Sequence, residues 1–132
     1  MNKKRVVVVC PGRGSYTRET SNYLSNSLPE MDEFIKTFDS KRAARNLIKI
    51  SELDKTTFRA KTHMTGENAS SLIYSCSLSD FISINKNKYD IVAICGNSMG
   101  WYISLALGNA ITFENGYDII QTMGKITNEK GE

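Results

Sequence analysis

The apolar positions divide the chain into runs and helical spacings. Residues 5–10 (RVVVVC) are a β-branched run cut off by Pro11-Gly12, which predicts a buried strand. A helix is expected over residues 17–28, closed by Pro29. Met31, Phe34, Ile35 and Phe38 then recur at i, i+3, i+4 and i+7, so residues 30–41 read as an amphipathic helix. Residues 42–66 are ambiguous. Leu47, Ile48, Ile50 and Leu53 predict a short helix there, with Ser51 as its cap. Residues 68–83 read as a largely buried helix through Ala69, Leu72, Ile73, Cys76 and Phe81. Asn85-Lys86-Asn87-Lys88 is turn chemistry, and residues 89–95 form a second aliphatic strand ending at Gly96. A helix over 99–107 stops at Gly108-Asn109, and Thr112 caps a last helix reaching Gly124.

This β–α–α–(α)–β–α–α order predicts an α/β fold with a parallel pair of strands. Two strands make a marginal sheet on their own. Either strands escape the pattern or more polypeptide belongs beside this one. The chain has 132 residues, 40% of them apolar and 23% charged, values of a compact globular domain or part of one, and not of a disordered chain. Its longest purely aliphatic run, residues 6–9, falls far short of the roughly 20 residues of a membrane span. Lys3, Lys4 and Arg5 mimic the start of a signal peptide, but the apolar stretch ends too early at Pro11, so a cytoplasmic protein with no membrane partner is expected. The net charge of +3 is small and no basic patch is interleaved with aromatics, which argues against nucleic acid. The densest basic stretch (Lys41, Arg42, Arg45, Lys49, Lys55, Arg59, Lys61) reads as a solvated face. Cys10, Cys76 and Cys95 include no CxxC pair, so reduced, buried thiols are expected rather than a disulfide scaffold or a metal site.

Both strands run into glycine turns, PGRGS at residues 11–15 and GNSMG at residues 96–100. In a parallel sheet both lie at the carboxyl edge, where open α/β sheets bind ligands. The second turn fits G-x-S-x-G, a pattern a chain this long meets by chance roughly 4% of the time. A strand before it and a helix after it make it a nucleophile-elbow candidate, with Ser98 projecting outward and free N–H groups at the helix start for an oxyanion. The alternative is a plain turn in which Ser98 caps the helix. The first turn is neither a dinucleotide fingerprint, because position 17 is threonine, nor a P-loop; Gly12-Arg13-Gly14 can bring backbone close to whatever sits on Ser98. A serine nucleophile needs a base. No histidine follows Ser98, and the one histidine, His63, reads as a surface or boundary residue.

The PGRGS segment resembles the PGQGSQ segment of malonyl-CoA:acyl-carrier-protein acyltransferases and of the acyltransferase domains of fatty-acid and polyketide synthases. GNSMG and the following LALGNAITFE, residues 105–114, resemble their GHSLGE elbow and the AG-x-(L/I)-x-F-(E/D) segment after it, and Gly124-Lys125 resembles their RGK motif. The resemblance covers essentially the whole chain but only the N-terminal part of the family's domain. It implies an α/β-hydrolase-like core, incomplete here without the C-terminal half that carries a ferredoxin-like subdomain and the catalytic histidine. It implies Ser98 as the nucleophile taking an acyl group from a coenzyme A thioester to the phosphopantetheine thiol of an acyl carrier protein. It further implies backbone N–H groups of Arg13 and Met99 as the oxyanion hole, Gly12, Gly14, Asn97 and Met123 around the substrate, and no permanently bound cofactor or metal.

The sequence departs from the family in four places: Arg13 for the glutamine of the first turn, Asn97 for the elbow's histidine, Trp101 for its glutamate, and Met123 where an arginine binds malonyl's carboxylate. These departures favour acetyl or a longer neutral acyl group over malonyl, unless Arg13 supplies the guanidinium. Two other readings stay open: an acyl-thioester hydrolase on the same scaffold, and a non-catalytic fragment or pseudo-enzyme that binds acyl carrier protein or a partner subunit; under the acyltransferase reading a C-terminal half or a partner chain would supply the catalytic histidine.

Overall fold

The computed structural model describes residues 2–130. Strand β1 (Lys4–Cys10) pairs in parallel with β2 (Tyr89–Gly96), and these two strands are the whole sheet among the described residues. Between them come two 3-10 turns (Arg18–Thr20, Tyr23–Asn26) and four helices: α1 (Met31–Ala43), α2 (Ile50–Lys55), α3 (Ala60–His63) and α4 (Gly66–Ser83). Helices α5 (Met99–Leu107) and α6 (Phe113–Lys130) follow β2. The α/β class and the parallel pair are as the pattern predicts.

Helix α5 lies on both strands, and α4 is the central helix, packed against α6, α5, α2 and α1. Residues on every side of α4 are buried, Leu72, Tyr74 and Leu78 completely, which is why its apolar residues show no stripe. The amphipathic spacing of α1 delivers Met31 and Phe38 to the core, where Phe38 stacks on Tyr117 with ring centroids 4.4 Å apart. The sheet is covered on one face only. Val8, Cys10 and Ile94 turn inward, whereas Val7 is 54% and Val9 72% exposed and Ala93 and Cys95 beside them are exposed too. Apolar parallel strands are ordinarily buried on both faces.

Four expectations change. The helix predicted over 17–28 is instead a pair of 3-10 turns, broken at Asn22 in the left-handed region (φ 62°). The cause is distant in sequence: buried Asp54 accepts the N–H groups of Tyr23 (3.0 Å) and Leu24 (2.9 Å) and the hydroxyl of Tyr16 (2.9 Å), holding the turn instead of a continuous helix. Ser51 does not cap α2. It lies inside the helix and its hydroxyl donates to Asp39 (2.6 Å). The last helix runs past Gly124, because that glycine serves a helix crossing: a Cβ there would lie 2.4 Å from the carbonyl oxygen of Gly66 on α4. The basic stretch is solvated except at Arg42, which is fully buried. Its guanidinium donates to the carbonyls of Ile48 and Glu67 and to the side chains of Asn68 and Gln121, tying α1 to α4 and α6 through neutral acceptors alone.

All three cysteines are free, and their burial differs from the expectation as well: Cys10 is buried, Cys76 half-buried and Cys95 exposed. The predicted strands, the turn at 85–88, the stop at Gly108-Asn109 and the Thr112 cap, which accepts from the N–H of Asn115 at 3.0 Å, agree with the structure.

Candidate active site

Because β1 and β2 are parallel with Cys10 opposite Gly96, both glycine turns leave the sheet at the same edge. Ser98 sits at the junction of β2 and α5 with φ 56° and ψ −127°, backbone that costs a non-glycine residue about 1–3 kcal/mol. The flanking glycines enforce it. A Cβ on Gly96 would lie 2.2 Å from the carbonyl oxygen of Gly100, and one on Gly100 would lie 2.4 Å from that of Cys10. Only bare backbone lets the chain turn this tightly and lets α5 start hard against β1.

Ser98 is exposed, and although it holds the N-cap position its hydroxyl makes no capping bond. The simple cap reading therefore does not describe it. Its main chain is secured instead: Gly100 N–H donates to Asn97 O (2.9 Å) and Trp101 N–H to Ser98 O (3.1 Å). The N–H of Met99, first in α5, has no partner among the described residues. It stands at the positive end of the helix dipole, where negative charge on an oxygen beside Ser98 would be stabilised.

The other turn comes alongside. A Cβ on Gly12 would be 3.8 Å from the Cβ of Ser98 and 3.5 Å from Asn97 O, and the bend is pinned by Ser15, whose hydroxyl donates to Gly12 O (3.0 Å). A cleft of about 720 Å³ opens over Ser98. Of the residues singled out from the sequence, Arg13, Asn97, Met99 and Met123 line it together with Ser98. Gly12 abuts Ser98 without lining the cleft, and Gly14 (φ 98°) shapes the bend while facing open space. Tyr102, Ser70 and Thr127 also line it and were not foreseen, nor was Trp101 as a wall. Trp101 and Tyr102 are readable in hindsight as the first turn after the elbow. Ser70 and Thr127 arrive only through the α4–α6 crossing at Gly66 and Gly124, which no local pattern announces.

No histidine reaches this cleft. His63 is 1% exposed, not a surface residue as expected, and both ring nitrogens are engaged: Nδ1 accepts from Arg59 N–H (3.0 Å) and Nε2 lies 2.8 Å from Leu53 O. It stacks on Phe58 and Tyr16 in the wall of the α2–α3 region, a structural role. Nor does any Asp or Glu line the cleft among the described residues. Of the nearby thiols, Cys10 is pushed up to about 11 by burial and then by the proximity of Cys95, so it is protonated at neutral pH and inert as a nucleophile.

The geometry thus defines an α/β protein with a strained serine at a strand–helix elbow. No protein-family model matches the sequence, and no curated protein matches it at a significant level. Among solved structures the fold is that of malonyl-CoA:acyl-carrier-protein transacylases. The transacylase of Coxiella burnetii superposes with a TM-score of 0.75 at 16% identity, covering 96% of this chain and 39% of that one. The Mycobacterium tuberculosis enzyme gives 0.74 at 19%, covering 95% and 40%. A malonyl-transacylase solved in complex with a type II polyketide-synthase acyl-carrier protein gives 0.75 at 15%, covering 96% and 40%. The chain spans about two fifths of the length of the structures it matches.

Proposed function

We propose that this chain is the nucleophile-bearing, N-terminal part of an acyltransferase that moves an acyl group from a coenzyme A thioester to the phosphopantetheine thiol of an acyl carrier protein. The observation that carries the reading is the strained Ser98 held between Gly96 and Gly100 and facing the Gly12 bend. In the proposed cycle Ser98 Oγ attacks the thioester carbonyl and gives its proton to a base. The oxyanion is held by backbone N–H groups of Met99 and Arg13, and the tetrahedral species collapses to the acyl-serine as the coenzyme A thiol leaves with a proton. The carrier thiol then attacks the ester and restores Ser98. Arg13, Asn97, Met123 and the Gly12–Gly14 bend position the acyl group, and the reaction needs no resident cofactor.

The base is an imidazole from polypeptide outside these residues, a further segment or a partner chain. Two features support this: His63 is committed elsewhere, and one apolar sheet face is uncovered. A site with its oxyanion donors but without its base retains roughly 10³–10⁴-fold of the acceleration over water. Acetyl-CoA should therefore acylate Ser98 slowly, seen as a mass increase of the intact protein that is lost in Ser98→Ala. Free imidazole should speed it, and adding holo acyl carrier protein should discharge it to the carrier. Discharge at the same rate in buffer alone would make the protein a thioester hydrolase. One observation, the missing base, favours a second reading in which the chain only binds carrier protein. Carrier binding without acylation, even in imidazole, would establish that reading instead.

A further inference from the structure

The helix pair α1 and α6 leaves one charge and one donor unmatched. Arg42 is fully buried and donates to neutral groups alone: the carbonyls of Ile48 and Glu67 and the side chains of Asn68 and Gln121. It forms no ion pair among the described residues. Buried cations are ordinarily matched by an anion, because neutral acceptors replace only part of the lost hydration. Gln121 sharpens the point. Its Oε1 accepts from Arg42 (2.6 Å), Ser71 and Tyr117 (3.0 Å), and three donors on one oxygen fix the orientation of the amide. Nε2 of the same amide is then the one buried side-chain nitrogen or oxygen without a hydrogen-bond partner among the described residues. Buried donors are otherwise almost always paired.

Both residues border a cleft of about 200 Å³ between the end of α1 and the middle of α6, which shares no residue with the cleft over Ser98. Arg42, Tyr117 and Gln121, all buried, are its floor. Arg45 is exposed at its mouth, and its guanidinium has neither an ion pair nor a hydrogen bond among the described residues. Lys41 beside it is already held by Asp118 (2.8 Å) and Glu114 (3.3 Å), so the unmatched positive charge is that of Arg42 and Arg45. Both charges reach the floor: burial pushes the Tyr117 phenol up, while the Ser71 hydroxyl, Arg42 and Arg45 act against that rise.

From this arrangement we infer that the cleft between α1 and α6 binds a phosphate-class oxyanion, free or as the end group of a phosphorylated small molecule. Arg45 and Gln121 Nε2 donate to it, and Arg42 supplies the buried counter-charge. The guanidinium fork of Arg45 matches two oxygens and the amide takes a third, one more than a carboxylate offers. This site stands independently of the acyl-transfer reading.

The test is calorimetric titration of the protein at fixed ionic strength with inorganic phosphate, phenyl phosphate and acetate. Inorganic phosphate should bind saturably at one site, and acetate at least tenfold more weakly. Arg45→Ala should leave the unfolding midpoint in chloride unchanged and weaken phosphate at least tenfold. Gln121→Glu puts a carboxylate oxygen at the Nε2 position and matches Arg42 from within, so it should abolish phosphate binding with helix content by circular dichroism retained. If that variant does not fold, Arg45→Ala decides alone. Phenyl phosphate binding as tightly as phosphate would assign the oxyanion to a phosphorylated molecule, and its rejection to the free ion. No saturable phosphate binding, acetate binding as tight as phosphate, or phosphate binding unchanged in Arg45→Ala would each overturn the inference.

Discussion

Arg42 and Ser98 show how far a single side chain departs from what its type suggests. A buried guanidinium with only neutral acceptors is held by the number of its hydrogen bonds rather than by a counter-charge. Gln121 Oε1 also accepts from Ser71 and from Tyr117 (3.0 Å), so losing the arginine would unsettle a shared centre. Arg42→Ala should cost about 3–5 kcal/mol, measured as the shift in urea unfolding free energy, because carbonyls and amides are left buried and unpaired. Arg45→Ala, on the exposed side of the same stretch, should change stability by less than about 0.5 kcal/mol. The thiols separate in the same way. At pH 8 a disulfide reagent should label Cys95 quickly, while Cys10 and Cys76, both raised by burial, should react only on unfolding. For Cys10 the folded state holds its proton from the ordinary 9.0 up to about 11, so its contribution to stability is complete below pH 9 and lost as the pH rises through 11. Rapid labelling of all three thiols in the native protein would contradict this burial pattern.

The elements fall into those written locally and those set from a distance. Strands β1 and β2, helices α1 and α5 and the elbow between β2 and α5 are legible in sequence because short repeating patterns specify them: β-branched runs, helical spacing, a glycine at each turn. The 3-10 turns at 18–26 are not legible, since they depend on the carboxylate of Asp54 some thirty residues away taking N–H groups that a helix would have used internally. The continuation of α6 past Gly124 is likewise settled by contact with Gly66 and not by helix-stop chemistry. In the site, the serine and its two glycine bends could be read, while the Ser70 and Thr127 walls could not. The elbow itself gives a sharp prediction. Gly100→Ala must push α5 away from β1, because its Cβ would sit 2.4 Å from Cys10 O. Acylation of Ser98 should fall at least a hundredfold, with helix content by circular dichroism retained. Unchanged acylation would mean that the tight β1–α5 approach does not hold the serine in place.

At the scale of the molecule, the described residues place helices on one face of a two-stranded sheet and leave Val7 and Val9 bare on the other. The cleft stands at the rim of that sheet, where parallel strands deliver both bends to one point, and its described lining includes Ser98, Met99 and Arg13 but no His, Asp or Glu. None of the helices among the described residues is long and apolar enough to cross a membrane. The account depends on Ser98 being a nucleophile and not merely a strained turn residue. The most direct measurement is peptide mapping after exposure to a serine-directed fluorophosphonate, with and without imidazole. Modification confined to Ser98, accelerated by imidazole and absent in Ser98→Ala, is the predicted result; an unmodified Ser98 in imidazole, or label on another serine, would contradict it.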